Sequence, residues 1–427
     1  MKKIFSLLLL AFVCVGMHAE NVRYVGGDIS MLTLYEQHNS PYKDANGAAI
    51  TDLLTWLVNE CGWNTFRVRI FVNPDKTDPS LSQDLTYTMM LGQRIKAAGA
   101  YFMLDFHYSD TWVDAGHIQP PSAWKGKNDG EMANELANYT HNVLSTMKAY
   151  GATPDLVQVG NEIMYGLCGI QVHPYEKSGD NWTGYLGLLK AGCDAVRNEC
   201  PEAKIIIHTD RPGNTSYNKY YYQKLIDGGV DYDIIGLSYY PFWHGYLTPE
   251  QVASKSNKEN LVTSIKQLAT DFPDKRVHIV ECAYNFQNWP TSGVNYDTRD
   301  VWKCSKNGQY AFVKDLVDNL LPLENVDGIN YWFPEEAGNG DDTNWNTMTH
   351  GTVLWTWQNR GFWDENQTQA GHAINSKAPH YMGVFVGHQE SGIETIKDER
   401  LTNKELRNGQ VIIIRGKREY TILGQEL

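Results

Sequence analysis

The stretch 156-LVQVGNEI-163 decides how the chain is read. Its apolar, β-branched start is that of a buried strand, yet it runs into Asn161 and Glu162. Seven more short runs follow the same plan. They are 22-VRYVGGDIS-30, 64-NTFRVRIFV-72, 101-YFMLDFHY-108, 204-KIIIHTD-210, 233-DIIGLSYYP-241, 277-VHIVECAY-284 and 326-VDGINYWF-333. Amphipathic helical segments fall between them at 51–61, 84–98, 130–150, 182–199, 215–227, 249–270 and 307–320, with an eighth expected around 370–377. Alternating strands and helices in this number predict an α/β fold, a (β/α)8 TIM barrel. Runs apolar on both faces suit parallel strands covered by helices. A doubly wound open sheet is the alternative, disfavoured because no Gly-rich phosphate turn follows the first strand.

Each predicted strand ends in polar or aromatic residues: Asp28, Arg67 and Arg69, Asp105 and His107, Asn161 and Glu162, His208 and Asp210, Tyr239 and Tyr240, Glu281, and Trp332. In a TIM barrel all eight carboxyl ends meet at one rim, which carries the active site. Two of these residues are glutamates on well-separated strands, Glu162 and Glu281. A pair of carboxyls flanking a bond is the equipment of glycoside hydrolysis, one protonated to donate and one ionised to attack. For each alone, a structural ion pair with a barrel arginine is the bland alternative. Arg67 and Arg69 alternate with Val68, so both face one side of the strand, and either is a candidate to hold the nucleophile ionised. Asn161 is suited to the sugar 2-hydroxyl. Tyr239 or Tyr240 can hydrogen-bond the nucleophile, His107 and His208 can orient the acid or the sugar, and Trp332 can floor the site.

Composition agrees. A net charge of −13 makes nucleic acid and anionic membranes poor partners and suits neutral substrates. The chain has 13 Trp and 25 Tyr, enough aromatic surface for both a core and sugar-stacking walls. The opening 1-MKKIFSLLLLAFVCVGMHAE-20 reads as a signal peptide cleaved after Ala19, its apolar core too short for a membrane span. No later run is long enough to span a bilayer. The expected organisation is signal peptide 1–19, one catalytic domain 20–385 with long strand-to-helix loops, and a tail 386–427 that reads as a β-hairpin. An exported monomer is expected, periplasmic, cell-surface or extracellular. The remaining six cysteines contain no C-x-x-C pair and read as isolated buried thiols. The loop 334–371 carries four Trp and reads as substrate-facing. No H-E-x-x-H, G-x-S-x-G or P-loop motif occurs.

The strings 26-GGDIS-30, 66-FRVRIFVNP-74, 105-DFHYSDTWVDAG-116, 157-VQVGNEI-163, 280-VECAY-284 and 328-GINYWFPE-335 together resemble family 53 of the glycoside hydrolases, the clan A endo-β-1,4-galactanases, over residues 22–375. The resemblance implies a retaining endo-hydrolase of β-1,4-galactan, the neutral side chain of pectin. Glu162 matches the general acid/base and Glu281 the nucleophile. Asp28, Arg69, His107, Asp110, Asn161, Tyr240 and Trp332 match cleft positions; Trp112, His208 and Asp210 complete the expected substrate-binding set. Retention implies carboxyls about 5–5.5 Å apart. Two departures stand out. Phe333 follows the Tyr-Trp pair where the family has Glu, with Glu335 two further on, and loop 285–306 lacks the closely spaced Asp/His/Asn run of calcium-binding bacterial members. No cofactor is expected to be required. A structural calcium at Asp341-Asp342 is weighed against a solvated loop, since the spacing is not that of an EF-hand. Another clan A endo-glycanase acting on mannan, xylan or glucan is the second reading, and a catalytically dead carbohydrate-binding barrel the third.

Overall fold

A computed structural model describes residues 22–37, 42–287, 289, 294–338, 360–364, 372–374 and 377–388, together with the strand backbones 403–407, 410–415 and 418–421. Eight parallel strands close into a barrel: β1 (Tyr24–Asp28), β2 (Thr65–Ile70), β3 (Tyr101–Phe106), β4 (Leu156–Val159), β5 (Lys204–Thr209), β6 (Ile234–Tyr239), β7 (Arg276–Cys282) and β8 (Val326–Trp332). Each strand pairs with its sequence neighbours, and β8 pairs with β1 in a register that sets Asp28 beside Trp332. The intervening helices are α1 (Leu53–Cys61), α2 (Leu85–Ala97), α3 (Asp129–Ala149), α4 (Trp182–Glu199), α5 (Thr215–Asp227), α6 (Leu261–Asp271) and α7 (Lys306–Leu320).

These helices start where a side chain can accept a free backbone N–H. Asp52, Asp84, Asn128, Asn181, Asn214, Asn260 and Ser305 cap α1 to α7 in turn. Such a cap stabilises a helix by about 1 kcal/mol. Two helix expectations need correction. The single helix expected over 249–270 is two, Pro249–Val252 and α6, because Asn260 is extended (φ −153°, ψ 154°) and caps a fresh start. The eighth helix lies at Ala378–Met382, not 370–377, with Pro379 in its first turn.

The strand faces divide the interior in two. Outward residues such as Phe66, Val68, Val157, Val159, Ile205, Ile207 and Ile329 are fully buried in one apolar core with the helices. The lumen is apolar at its base, where Tyr24, Met103, Leu156, Ile206, Ile234 and Val280 cluster. Above that base it is polar, with Asp28, Arg67, Asp105, Gln158, His208 and Ser238 all nearly inaccessible to solvent. The expectation that the strands are apolar on both faces therefore holds only for the lower lumen. Tight packing also fixes Gly328, where a Cβ would sit 1.8 Å from His278 Cε1.

A small five-stranded sheet joins Tyr42–Lys43 and Ala49–Ile50 to Ala337–Gly338, Trp363–Asp364 and His372–Ile374. Trp363 in it is buried, edge-on to Tyr42 and Trp56, so this one of the four loop tryptophans is core rather than cleft. The other three, Trp345, Trp355 and Trp357, and the Asp341-Asp342 pair lie outside the described residues. Residues 389–427 form a separate unit, in which Asn403–Arg407, Gln410–Arg415 and Arg418–Thr421 make a three-stranded antiparallel sheet rather than a two-stranded hairpin. The cysteines Cys61, Cys168, Cys193, Cys200, Cys282 and Cys304 are all free thiols, and all but the half-buried Cys304 are buried.

Candidate active site

β4 stops at Val159, three residues short of the glutamate it delivers. Gly160 (φ +93°) and Glu162 (φ +49°, ψ 47°) both take left-handed backbone, which turns the chain off the barrel wall. A left-handed glutamate costs on the order of 1 kcal/mol and persists only where its surroundings hold it. Here the Glu162 backbone N–H donates to His208 Nδ1 (3.3 Å), and the Ser238 hydroxyl donates to Glu162 Oε1 (2.6 Å). The expectation that Glu162 ends the strand is corrected: it belongs to the turn after it.

Glu281 reaches the same cleft by a different device. Strand alternation from the outward Ile279 would place Val280 inside and Glu281 outside. A β-bulge intervenes: Leu237 faces Ile279, but the next residue, Ser238, faces Glu281. The extra residue leaves Val280 in the lumen cluster and Glu281 in the cleft. Glu281 Oε1 lies 2.9 Å from Arg67 Nη2, and its Oε2 accepts the Tyr240 hydroxyl at 2.7 Å. Arg67, only 1% exposed, also donates to Asp28 (2.7 Å), Asp105 (2.8 Å), Asn161 Oδ1 (2.8 Å) and Gln158 Oε1 (3.3 Å).

Burial and neighbours separate the two carboxyls. Burial pushes Glu162 well above the usual carboxylate range, and the nearby Glu281 and Asp210 push it further. Burial raises Glu281 too, but Arg67 and the Tyr240 hydroxyl act against it by favouring the charged form. Glu162 is therefore the group that keeps its proton and Glu281 the one that ionises first. Asp210, itself buried, is raised to about 6 by desolvation. His107 sits between layers: Nδ1 accepts the Val113 backbone N–H (3.0 Å), so Nε2 carries the proton toward Asp105 (3.2 Å).

The cleft holds about 600 Å³, counting space open to solvent. Of the residues predicted from sequence, it is lined by Arg67, Arg69, His107, Trp112, Asn161, Glu162, Tyr240, Glu281 and Trp332. Arg69 lies over the Trp112 ring at 4.2 Å and 3.7 Å from Asp28. Five other predicted residues do not line it. Asp28 is spent on Arg67 and on the Ser30 backbone and hydroxyl. Asp110 holds a loop by accepting Asn73 N and Ser122 N. His208 and Asp210 are buried beneath Glu162. Tyr239 points away, its hydroxyl on Gly245 O. Sequence reading passed over Val113, Asp114, Trp243 and Arg360, which also line the cleft. Arg360 lies 5.2–5.7 Å from the ring centres of Tyr240, Phe242, Trp243 and Trp332. The adjacent Phe242-Trp243 pair after Tyr240 was the available signal for Trp243; nothing local marks Arg360. Among the described residues, no cluster of three or more His, Cys, Asp or Glu is placed to hold a metal.

Residues 24–376 match the sequence profile of Glycosyl hydrolase family 53. A probable arabinogalactan endo-β-1,4-galactanase A of Aspergillus fumigatus is 32% identical over 345 residues, 78% of this chain and 89% of that protein. The GH53 catalytic domain of Ignisphaera aggregans superposes with a TM-score of 0.69 at 28% identity, over 86% of this chain and 97% of that one. A structure from a study of two fungal β-1,4-galactanases gives 0.65 at 25% identity, over 84% and 99%. With an acidic pair on the turn after β4 and the bulge of β7, and this match across the whole barrel, the chain belongs to glycosyl hydrolase family 53.

Proposed function

We propose that the protein is a retaining endo-hydrolase of β-1,4-linked galactan, the arabinogalactan side chain of pectin, releasing galacto-oligosaccharides. The observation that carries the reading is the pair Glu162 and Glu281 in one cleft with different surroundings, one carboxyl buried beside acidic neighbours and one gripped by Arg67 and Tyr240. The named relatives supply the substrate class. The aromatic walls Trp112, Trp243 and Trp332 offer flat apolar faces to sugar rings, and a protein of net charge −13 suits a neutral polymer.

In the first step Glu281 attacks the anomeric carbon while protonated Glu162 gives its proton to the glycosidic oxygen, so the leaving chain departs as an alcohol. Arg67 and Tyr240 hold Glu281 ionised and aimed for this attack. A covalent glycosyl-enzyme results. Glu162, now a carboxylate, takes a proton from water, which attacks the anomeric carbon and frees Glu281. Asn161 Oδ1 is spent on Arg67, and one Nδ2 hydrogen on Val113 O; the second Nδ2 hydrogen is available to the sugar 2-hydroxyl. This chemistry uses two carboxylates and water. The lysine pair and apolar run of residues 1–19 support export, to the periplasm, cell surface or medium.

Reducing-sugar release across galactan, mannan, xylan and β-glucan tests the substrate, and sizing the products over time tests the mode. Oligosaccharides from galactan at early times are expected. Release of galactose alone, or preference for another polymer, would overturn the reading.

A further inference from the structure

Glu162 has two carboxyl oxygens, and only one can carry the proton to the substrate. The surroundings of Oε1 show which. Arg67 can only donate, so Gln158, 3.3 Å from Arg67 Nε, must present its carbonyl there. Its amide nitrogen then faces Asp105 (2.6 Å) and His208 Nδ1 (3.0 Å). The Glu162 backbone N–H, also an obligate donor, points at the same Nδ1. Asn161 Oδ1 lies 3.1 Å from that nitrogen, but it accepts from Arg67 Nη2 at 2.8 Å, and an Nδ1 proton pointed at it would clash with the Glu162 N–H. Two donors thus make His208 Nδ1 an acceptor, so the ring proton sits on Nε2. Nε2 is 2.8 Å from Ser238 Oγ. Ser238 accepts that proton and has one direction left for its own: Glu162 Oε1, 2.6 Å away.

We infer that Ser238, oriented by neutral His208, is a positioning residue that makes Glu162 Oε1 a permanent acceptor and thereby confines the catalytic proton to Oε2. The chain of donors runs one way, from His208 through Ser238 to Glu162, and it starts from the same Arg67 that grips Glu281. One arginine therefore orders both carboxyls. Burial keeps His208 from charging, which the one-way chain requires. The proposal rests on the acid/base assignment of Glu162. The other ionisable groups acting on Glu162 are Glu281, Asp210 and Asp114, with Arg211 and Tyr240 beside them.

The test is Ser238→Ala, with Ser238→Thr as the variant that keeps a hydroxyl, each checked for native fold by circular dichroism. The readout is kcat/KM, which covers events only up to formation of the glycosyl-enzyme. On galactan, whose leaving sugar needs the proton, Ser238→Ala should lose roughly ten- to a hundredfold. On a dinitrophenyl galactobioside, whose leaving group needs none, the loss should be about tenfold smaller. The basic limb of the pH profile should move up, because a hydrogen bond favouring ionised Glu162 is gone, and Ser238→Thr should recover most of the loss. Equal losses on both substrates, or a basic limb that stays put or moves down, would overturn the inference. Glu162→Ala with azide on the aryl substrate separates the underlying reading. Azide attacks the anomeric carbon, Glu281 departs and glycosyl azide forms, which restores turnover if Glu162 is the acid/base. Without that rescue the assignment of Glu162 itself fails.

Discussion

Arg67 decides the electrostatics of the site. One buried guanidinium contacts Asp28, Asp105 and Glu281, and their charges hold its own protonation above the usual arginine range. Removing one member of such a set leaves the others uncompensated in a dry lumen, so Arg67→Met should cost about 3–5 kcal/mol of stability, read as a fall in the urea midpoint. Tyr240 offers a gentler probe. Its hydroxyl lowers the pKa of Glu281, and Glu281 must be ionised to attack; Tyr240→Phe should therefore raise that pKa and move the acid limb of kcat/KM to higher pH. An acid limb moving to lower pH would contradict the contact's assigned sign. The sequence exposed both arginines through their alternation with Val68, but not which one meets Glu281. Both face the lumen, and the choice depends on depth along β2 relative to the bulge in β7, a three-dimensional register that no local pattern records. Either arginine was a candidate for that contact; Arg67 makes it, with Arg69 stacked on Trp112 instead.

Among elements, the strands and most helices were legible because period, length and caps agreed: Asn128 followed by Glu131, for instance, forms a full capping box on α3. Asn128→Ala should reduce stability by about 1 kcal/mol while leaving kcat on galactan intact, since α3 packs on the outside of the barrel. The break before α6 was missed although 254-SKSNKEN-260 holds no apolar residue and ends in Asn260, a start signal for a new helix. The bulge was not legible at all. Val280 and Glu281 read as ordinary strand, and only pairing with β6 shows that both face inward. Gly328 belongs to this scale too. Its missing side chain lets the His278 ring lie over the neighbouring strand β8, so Gly328→Ala should cost about 1–3 kcal/mol by overpacking, measured by thermal or denaturant unfolding.

For the whole molecule, the barrel and the position of its acidic pair followed from strand-end polarity alone, because a TIM barrel turns eight separated strand ends into one rim. The second layer did not follow. Asp28, His208 and Asp210 were assigned to substrate on the same rule, yet all three are buried and none lines the cleft, since a rim position says which end of the strand a residue occupies and not whether solvent reaches it. Overall charge bears on encounter with substrate. A neutral polymer is not steered by a net charge of −13, so kcat/KM on galactan should change by less than about twofold as ionic strength rises to 1 M, where the screening length is about 3 Å. A steep salt dependence would point to a charged natural substrate.

In the proposed reaction Glu281 forms, and Glu162 resolves, a covalent glycosyl-enzyme. The most direct measurement uses a 2-deoxy-2-fluoro galactobioside with a good leaving group, followed by proteolysis and mass spectrometry of the labelled peptide. One sugar per chain is expected on the peptide containing Glu281, with turnover lost in step with labelling. A stable label on another residue, or inactivation with no covalent sugar at Glu281, would contradict it.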